Sequence, residues 1–219
     1  MSGIQAMGTW QAAYDTGTSG SSGSASGTMS LVDSPSLSGQ ARKFGTTFVN
    51  YGGERYFASF GQDTAATHFL YDTWVYLDGS VNDVANLEMD MNQTMANGQT
   101  VIYGFQCDGW SQTWDYTTNA GTPENFNDQW LHSDAACNVQ DWSVDTWHHV
   151  QVAYSRDDAG NVTYQSVWLD GVEQDIKVTV PSAFALGWGS TLLTNLQVDG
   201  RGASGASTVY LDNLTVYRW

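Results

Sequence analysis

Apolar and polar residues alternate with a period of two along most of this chain. The pattern is plainest at 86–93 (NLEMDMNQ), where Leu87, Met89 and Met91 fall on one side and Glu88, Asp90 and Asn92 on the other. Further alternating or β-rich runs lie at 40–49, 67–77, 100–107, 147–155, 162–169, 172–180, 191–199 and 208–218, dominated by Thr, Val, Tyr and Trp. Turn signals punctuate them at Asn97-Gly98, Asp157-Asp158-Ala159-Gly160-Asn161 and Asp170-Gly171. No segment carries a helical stripe. So many strands in one chain predict an all-β fold, a two-sheet antiparallel jelly roll or β-sandwich. Residues 16–28 (TGTSGSSGSASGT) interrupt the pattern, and so Gly/Ser-rich a run predicts a loop. Because Trp10 and Tyr14 precede it, the loop is read as internal to one domain spanning 1–219.

The polar sides of these strands carry the candidate chemistry. Asn97-Gly98 should pair 86–93 with 100–107, setting Glu88, Asp90 and Asn92 beside Gln106 and Asp108. Elsewhere Asn195, Gln197 and Asp199 alternate with Thr194, Leu196 and Val198, and His68 and Asp72 with Phe69 and Tyr71. If these strands share the concave sheet, they form a groove of carboxylates, amides and one imidazole. Sugar hydroxyls both donate and accept, and so suit such a surface. Two acids two residues apart have Cα atoms about 6.5–7 Å apart, compatible with either carboxyl spacing used in glycosidic cleavage. The bland counterpart is a sheet face that merely meets water.

Composition narrows the partners. Seven Lys+Arg against 23 Asp+Glu give a net charge of −16, so nucleic acid and anionic membrane are not expected partners. Ten Trp, 11 Tyr and 8 Phe are too much apolar mass for a disordered chain. The opening MSGIQAMGTW has neither the basic nor the apolar part of a signal peptide. Scarce Lys, abundant Gly, Ser, Thr and Asn, and the acidity nevertheless point to a secreted, extracellular or periplasmic monomer, or to a module of a larger secreted protein. Cys107 and Cys137 are expected to form a disulfide, which would stabilise by about 3.5 kcal/mol by closing a loop of about 30 residues; two free thiols is the alternative.

Residues 108–146 hold Trp110, Trp114, Trp130 and Trp142 with Tyr116 and Phe126, and read as a long aromatic loop. Trp110 and Trp114 are assigned to stacking on sugar rings, the others to a small core beneath the loop. No motif requires a cofactor. Asp78-Gly79-Ser80-Val81-Asn82-Asp83 begins like a calcium loop but lacks its Gly and terminal Glu, so any structural Ca2+ would be held elsewhere by Asp side chains and carbonyls. His148 and His149 face opposite ways and cannot jointly hold a metal. No G-x-S-x-G, Walker or zinc spacing occurs.

Two sets of motifs carry a family resemblance. Trp147-His148-His149-Val150-Gln151-Val152-Ala153-Tyr154, followed by Val167-Trp168-Leu169-Asp170-Gly171, resembles the signature of laminin-G-like jelly rolls. Ser38–Phe44 and Val209–Val216 resemble flanking strands of the same concanavalin A-like lectin/glucanase superfamily. That resemblance implies the fold over most of the chain and leaves the activity open. Separately, Glu88-Met89-Asp90-Met91-Asn92-Gln93 is similar to the active-site strand of family 16 and family 7 glycoside hydrolases. The resemblance implies Glu88 as nucleophile and Asp90 as its helper, while the acid/base Glu is replaced by Asn92 or Gln93. It is also similar to the metal-binding strand of legume lectins, except that Thr94 stands where an Asn belongs. The resulting expectation is a polysaccharide- or glycan-binding, lectin-like domain. Its contacts would come from His68, Asn92, Gln93, Gln106, Trp110, Trp114, Asn195 and Gln197. The alternatives are a glycoside hydrolase using Glu88 with Asp90 or Asp199, and a structural, adhesin-like domain.

Overall fold

The computed structural model describes residues 1–15, 23–79 and 81–219. Strands are numbered in chain order. One sheet runs β1 (Gln11–Asp15), β4 (Gly53–Gly61), β15 (Leu192–Gly200), β6 (Val84–Thr94), β8 (Phe105–Asp108), β9 (Thr113–Asn119), β10 (Asp128–Ala136); β7 (Thr100–Tyr103) pairs with the end of β6, and β14 (Ala183–Phe184) with β7. The second sheet runs β13 (Val172–Pro181), β12 (Asn161–Leu169), β11 (Trp147–Arg156), β5 (His68–Asp78), β16 (Gly205–Arg218), β3 (Ala41–Asn50), β2 (Gly23–Val32). All the pairings are antiparallel, and the two sheets pack face to face as a β-sandwich. No helix among the described residues is long and apolar enough to cross a membrane.

The alternation seen in the sequence builds the core. Leu87, Met89 and Met91 of β6 are buried between the sheets with Tyr103 and Phe105. Across from them, Phe69 and Tyr154 pack on Tyr103 with ring centroids 5.3 and 4.8 Å away. Burial of each such side chain contributes about 1.5–3 kcal/mol. The turn at Asn97-Gly98 forms as expected: Gly98 has φ 83° and Met95 N–H donates to the Gln99 carbonyl.

Three readings are corrected. Residues 23–28 are not loop but the first part of β2, paired with β3, while 16–22 lie outside the described residues. The glycines there serve close packing: a Cβ on Gly23 would lie 2.3 Å from the Val49 carbonyl oxygen, and one on Gly27 2.5 Å from the Tyr56 hydroxyl. The run 100–107 is two strands, broken at Gly104. The supposed aromatic loop 108–146 contains β9 and β10, which extend the first sheet. The expected disulfide is present, joining Cys107 of β8 to Cys137 just past β10. The sequence 78–83 contains Ser80, which lies outside the described residues.

Candidate functional site

The outward face of the first sheet holds a cleft of about 750 Å3. Strand register lays its floor in transverse lines. The first runs Arg55 (β4), Gln197 (β15), Glu88 (β6), Gln106 (β8), Asp115 (β9) and His132 (β10), each residue opposite the next. A second runs Asp15, Gly53, Asp199, Asn86, Asp108 and Thr113. These residues all share the side of the sheet opposite Leu87, Met89, Phe105, Trp114 and Tyr116, which are buried. Asp128, Trp130, Trp188, Ile102 and Thr117 complete the walls toward the other end, and Trp110 and Tyr51 stand at the first.

Amides and acids lock together along the floor. Asn195 Nδ2 donates to Glu88 Oε1 (3.3 Å) and Asp90 Oδ2 (3.2 Å). Asn86 Nδ2 donates to Gln106 Oε1 (2.6 Å) and Asp199 Oδ2 (2.9 Å). Gln197 Nε2 donates to both Asp199 oxygens at 3.2 and 3.3 Å. The break at Gly104 belongs to this network. A Cβ there would lie 2.5 Å from the Thr117 side chain, and the freed Phe105 N–H donates to Asp90 Oδ1 at 3.0 Å. Gly53 has a similar role, since a Cβ on it would lie 1.9 Å from Asp199 Oδ1.

Crowding and lost hydration raise the proton affinity of five of the cleft carboxyls. Burial, with the adjacent Asp90 charge, drives Glu88 well above the usual carboxylate range, and the close approach of the two carboxyls raises Glu88 further while lowering Asp90. Asp90 is itself raised by burial, against hydrogen bonds from Glu88, Phe105 N–H and Asn195. Burial pushes Asp199 up to about 7, with Asp15 adding repulsion. At the mouth, lost hydration and the Asp90 charge push Asp128 up to about 6. Asp115 is raised by burial although Thr113 and His132 hydrogen-bond to it.

The expected site residues divide. Glu88, Asp90, Asn92, Gln106, Trp110, Asn195, Gln197 and Asp199 line the cleft together. Gln93 does not: it faces between the sheets, where its amide donates to the Asp63 and Ala66 carbonyls and its oxygen accepts from Tyr103 and Arg156. Trp114 is fully buried, stacked on Phe105 at 5.1 Å, and offers no face to a ligand. His68 lies on β5 of the other sheet and stacks on Trp219. Asp72, on that same strand, accepts from His149 and Gln151. The sequence reading missed Asp15, Arg55, Asp115, Asp128, His132, Trp130 and Trp188. Alternation at 113–119 was the available signal, because it sends Trp114 inward and Asp115 outward.

Asp108, Asp115 and His132 bring ligand atoms within 4.8 Å of one another. The set does not suit calcium, which prefers six or more oxygens and no imidazole. Both Asp115 oxygens already accept hydrogen bonds, from Ser111, Thr113 and His132, and Asp108 accepts from the Trp110 and Ser111 N–H groups. Those bonds make the cluster a brace for the 109–112 turn, which carries Trp110.

No family model matches the sequence, and no curated protein does. Solved structures do resemble it. A carbohydrate-binding module of the β-sandwich superfamily superposes with a TM-score of 0.50 at 9% identity, over 97% of this chain and 58% of that one. This chain thus spans little more than half of that structure. The cellulose-induced protein Cip1 matches with a TM-score of 0.51 at 15% identity, covering 87% and 85% of the two chains. A carbohydrate-binding module from Bacillus subtilis gives 0.44 at 13% identity, covering 87% and 94%. At such identities the likeness concerns architecture alone: two antiparallel sheets packed as a β-sandwich.

Proposed function

We propose that residues 1–219 form one carbohydrate-binding domain that holds a polysaccharide or glycan in the cleft of the first sheet. The observation that carries this reading is the cleft itself: a polar floor, mostly amides and carboxyls, from six adjacent strands, with half-exposed Trp110 at one end and Trp188 at the other. Such a floor meets hydroxyls in both hydrogen-bond senses, and the indoles offer flat apolar faces to pyranose rings. Fold likeness to carbohydrate-binding modules agrees with it but does not carry it. The disulfide supports an extracytoplasmic setting, where such bonds persist. Depletion of the protein from solution by a panel of insoluble polysaccharides tests the proposal. Trp110→Ala and Trp188→Ala should each weaken retention by about 1–2 kcal/mol. Full retention by both folded variants would place binding elsewhere.

One observation favours a second reading, hydrolysis. Burial and the adjacent Asp90 raise the proton affinity of Glu88, the direction a general acid needs, whereas the family resemblance makes it an ionised nucleophile. Mass spectrometry of soluble products from the same polysaccharides decides between binding and cleavage. Glu88→Gln should lower any turnover at least about a hundredfold, the loss of about 3 kcal/mol of transition-state stabilisation. Product release unchanged in that variant removes Glu88 from the chemistry.

A further inference from the structure

Building on the glycan-binding reading, the hydrogen-bond polarity of the cleft narrows its ligand. Seven carboxyl groups line it, against one guanidinium, that of Arg55, and one imidazole, that of His132. Three of its six amides, Asn86, Asn195 and Gln197, already direct N–H groups to cleft acceptors. Even allowing for donor protons on Glu88 and Asp199, whose proton affinities are raised, the other five carboxyls leave acceptors in excess. Asn92 gives an independent sign: it is 95% buried in the cleft lining, and its Oδ1 has no hydrogen-bond partner among the described residues. A buried acceptor without a donor is costly, and a ligand that brings N–H groups relieves it.

Neutral sugars bring more acceptors than donors, and uronates bring negative charge as well. An ammonium brings three donors, no acceptor, and a positive charge that favours the ionised form of every neighbouring carboxyl. We infer that the cleft takes an amino-sugar polymer with free amines, in preference to its N-acetylated, neutral or uronate counterparts. Binding then has a chemical signature. The ammonium lowers the proton affinity of the cleft acids, so protons leave as the ligand enters.

Calorimetric titration at about pH 6, where an ordinary amine is protonated, tests this with glucosamine, N-acetylglucosamine and cellulose oligomers of equal length. The expected result is one glucosamine oligomer per chain, bound at least tenfold more tightly than the others. Its heat should vary with the ionisation enthalpy of the buffer, reporting proton release. Asp128→Asn at the mouth should weaken it several-fold. Glu173→Gln and Asp33→Asn, exposed acids away from the cleft, should leave it unchanged and so exclude general attraction to an acidic chain. Equal affinity for the acetylated or cellulose oligomers would overturn the amine preference while keeping the glycan site. Several weak glucosamine sites, equally sensitive to Glu173→Gln and Asp128→Asn, would overturn it as bulk charge. Binding to no member of this set or of the polysaccharide panel would overturn both readings.

Discussion

Replacing Asp199 by Asn should flatten the dependence of folding stability on pH. Asp199 is packed against the backbone of Gly53 and receives Asn86 and Gln197 side-chain N–H groups, yet burial and Asp15 raise its pKa from 3.8 to about 7. The unfolded carboxyl loses its proton near pH 4, whereas the folded one keeps it to about pH 7, so between these values the native state binds more protons. This contribution is complete below about pH 4, declines as pH rises, and is lost above about pH 7. A displacement of about three pH units, at 1.36 kcal/mol each, makes the change about 4 kcal/mol. Urea unfolding of the wild type and Asp199→Asn at intervals from about pH 4 to 8 measures it. The wild type should lose about 4 kcal/mol more than the variant over that range. Glu88 and Asp90 act in both proteins and largely cancel, apart from the small part of the Glu88 rise that comes from Asp199. Parallel curves for the two proteins would refute a protonated Asp199 in the native cleft.

Other consequences are open to simple tests. Trp114→Ala should cost about 3–5 kcal/mol in chemical denaturation, as for a large aromatic removed from a core, whereas exposed Trp110→Ala should leave the unfolding midpoint nearly unchanged. Reducing the Cys107–Cys137 bond, or replacing both residues by Ser, should lower stability by about 3.5 kcal/mol, given a sequence separation of 30; thermal melts with and without reductant read this out. Gly104→Ala sets a methyl 2.5 Å from the Thr117 side chain and should destabilise by about 1–3 kcal/mol, with slowed amide exchange at Phe105 lost as its bond to Asp90 loosens.

Much of the architecture was legible wherever one face of a strand is buried and the other polar. The run at 86–93 shows why: a one-residue slip would exchange Met89 and Met91 for Asp90 and Asn92, so the pattern admits a single register. The same parity already placed Gln93 on the core side with Met91, against its assignment to the ligand. β2 was hidden because its composition looks like a linker, although Gly23 and Gly27 let the Val49–Gly52 backbone and the Tyr56 side chain approach closely. β10 was hidden for a different reason: as an edge strand with mostly exposed residues it lacks a regular apolar face. Without β9 and β10, the outward side of the cleft had no walls, and Asp115, Asp128 and His132 could not be assigned to it. Trp114 suffered in consequence, because only its place on β9 shows that it points inward. The placement of His68 depended on which sheet β5 joins, a matter of long-range pairing that local pattern does not encode.

The transverse lines of the floor determine how the site can change. Arg55, Gln197, Glu88, Gln106, Asp115 and His132 are scattered from residue 55 to residue 197, yet they lie side by side. A substitution at any one of them alters the partner offered to its two flanking residues, so its effect depends on what they are. Energetic coupling should therefore run across the strands, between residues remote in the sequence, and be weaker toward positions farther along the same strand. Libraries that vary β6 alone would meet mostly failures. Those that vary Gln197, Glu88 and Gln106 together would sample whole hydrogen-bonding arrangements, and changes of ligand preference should come as such linked sets rather than as single steps.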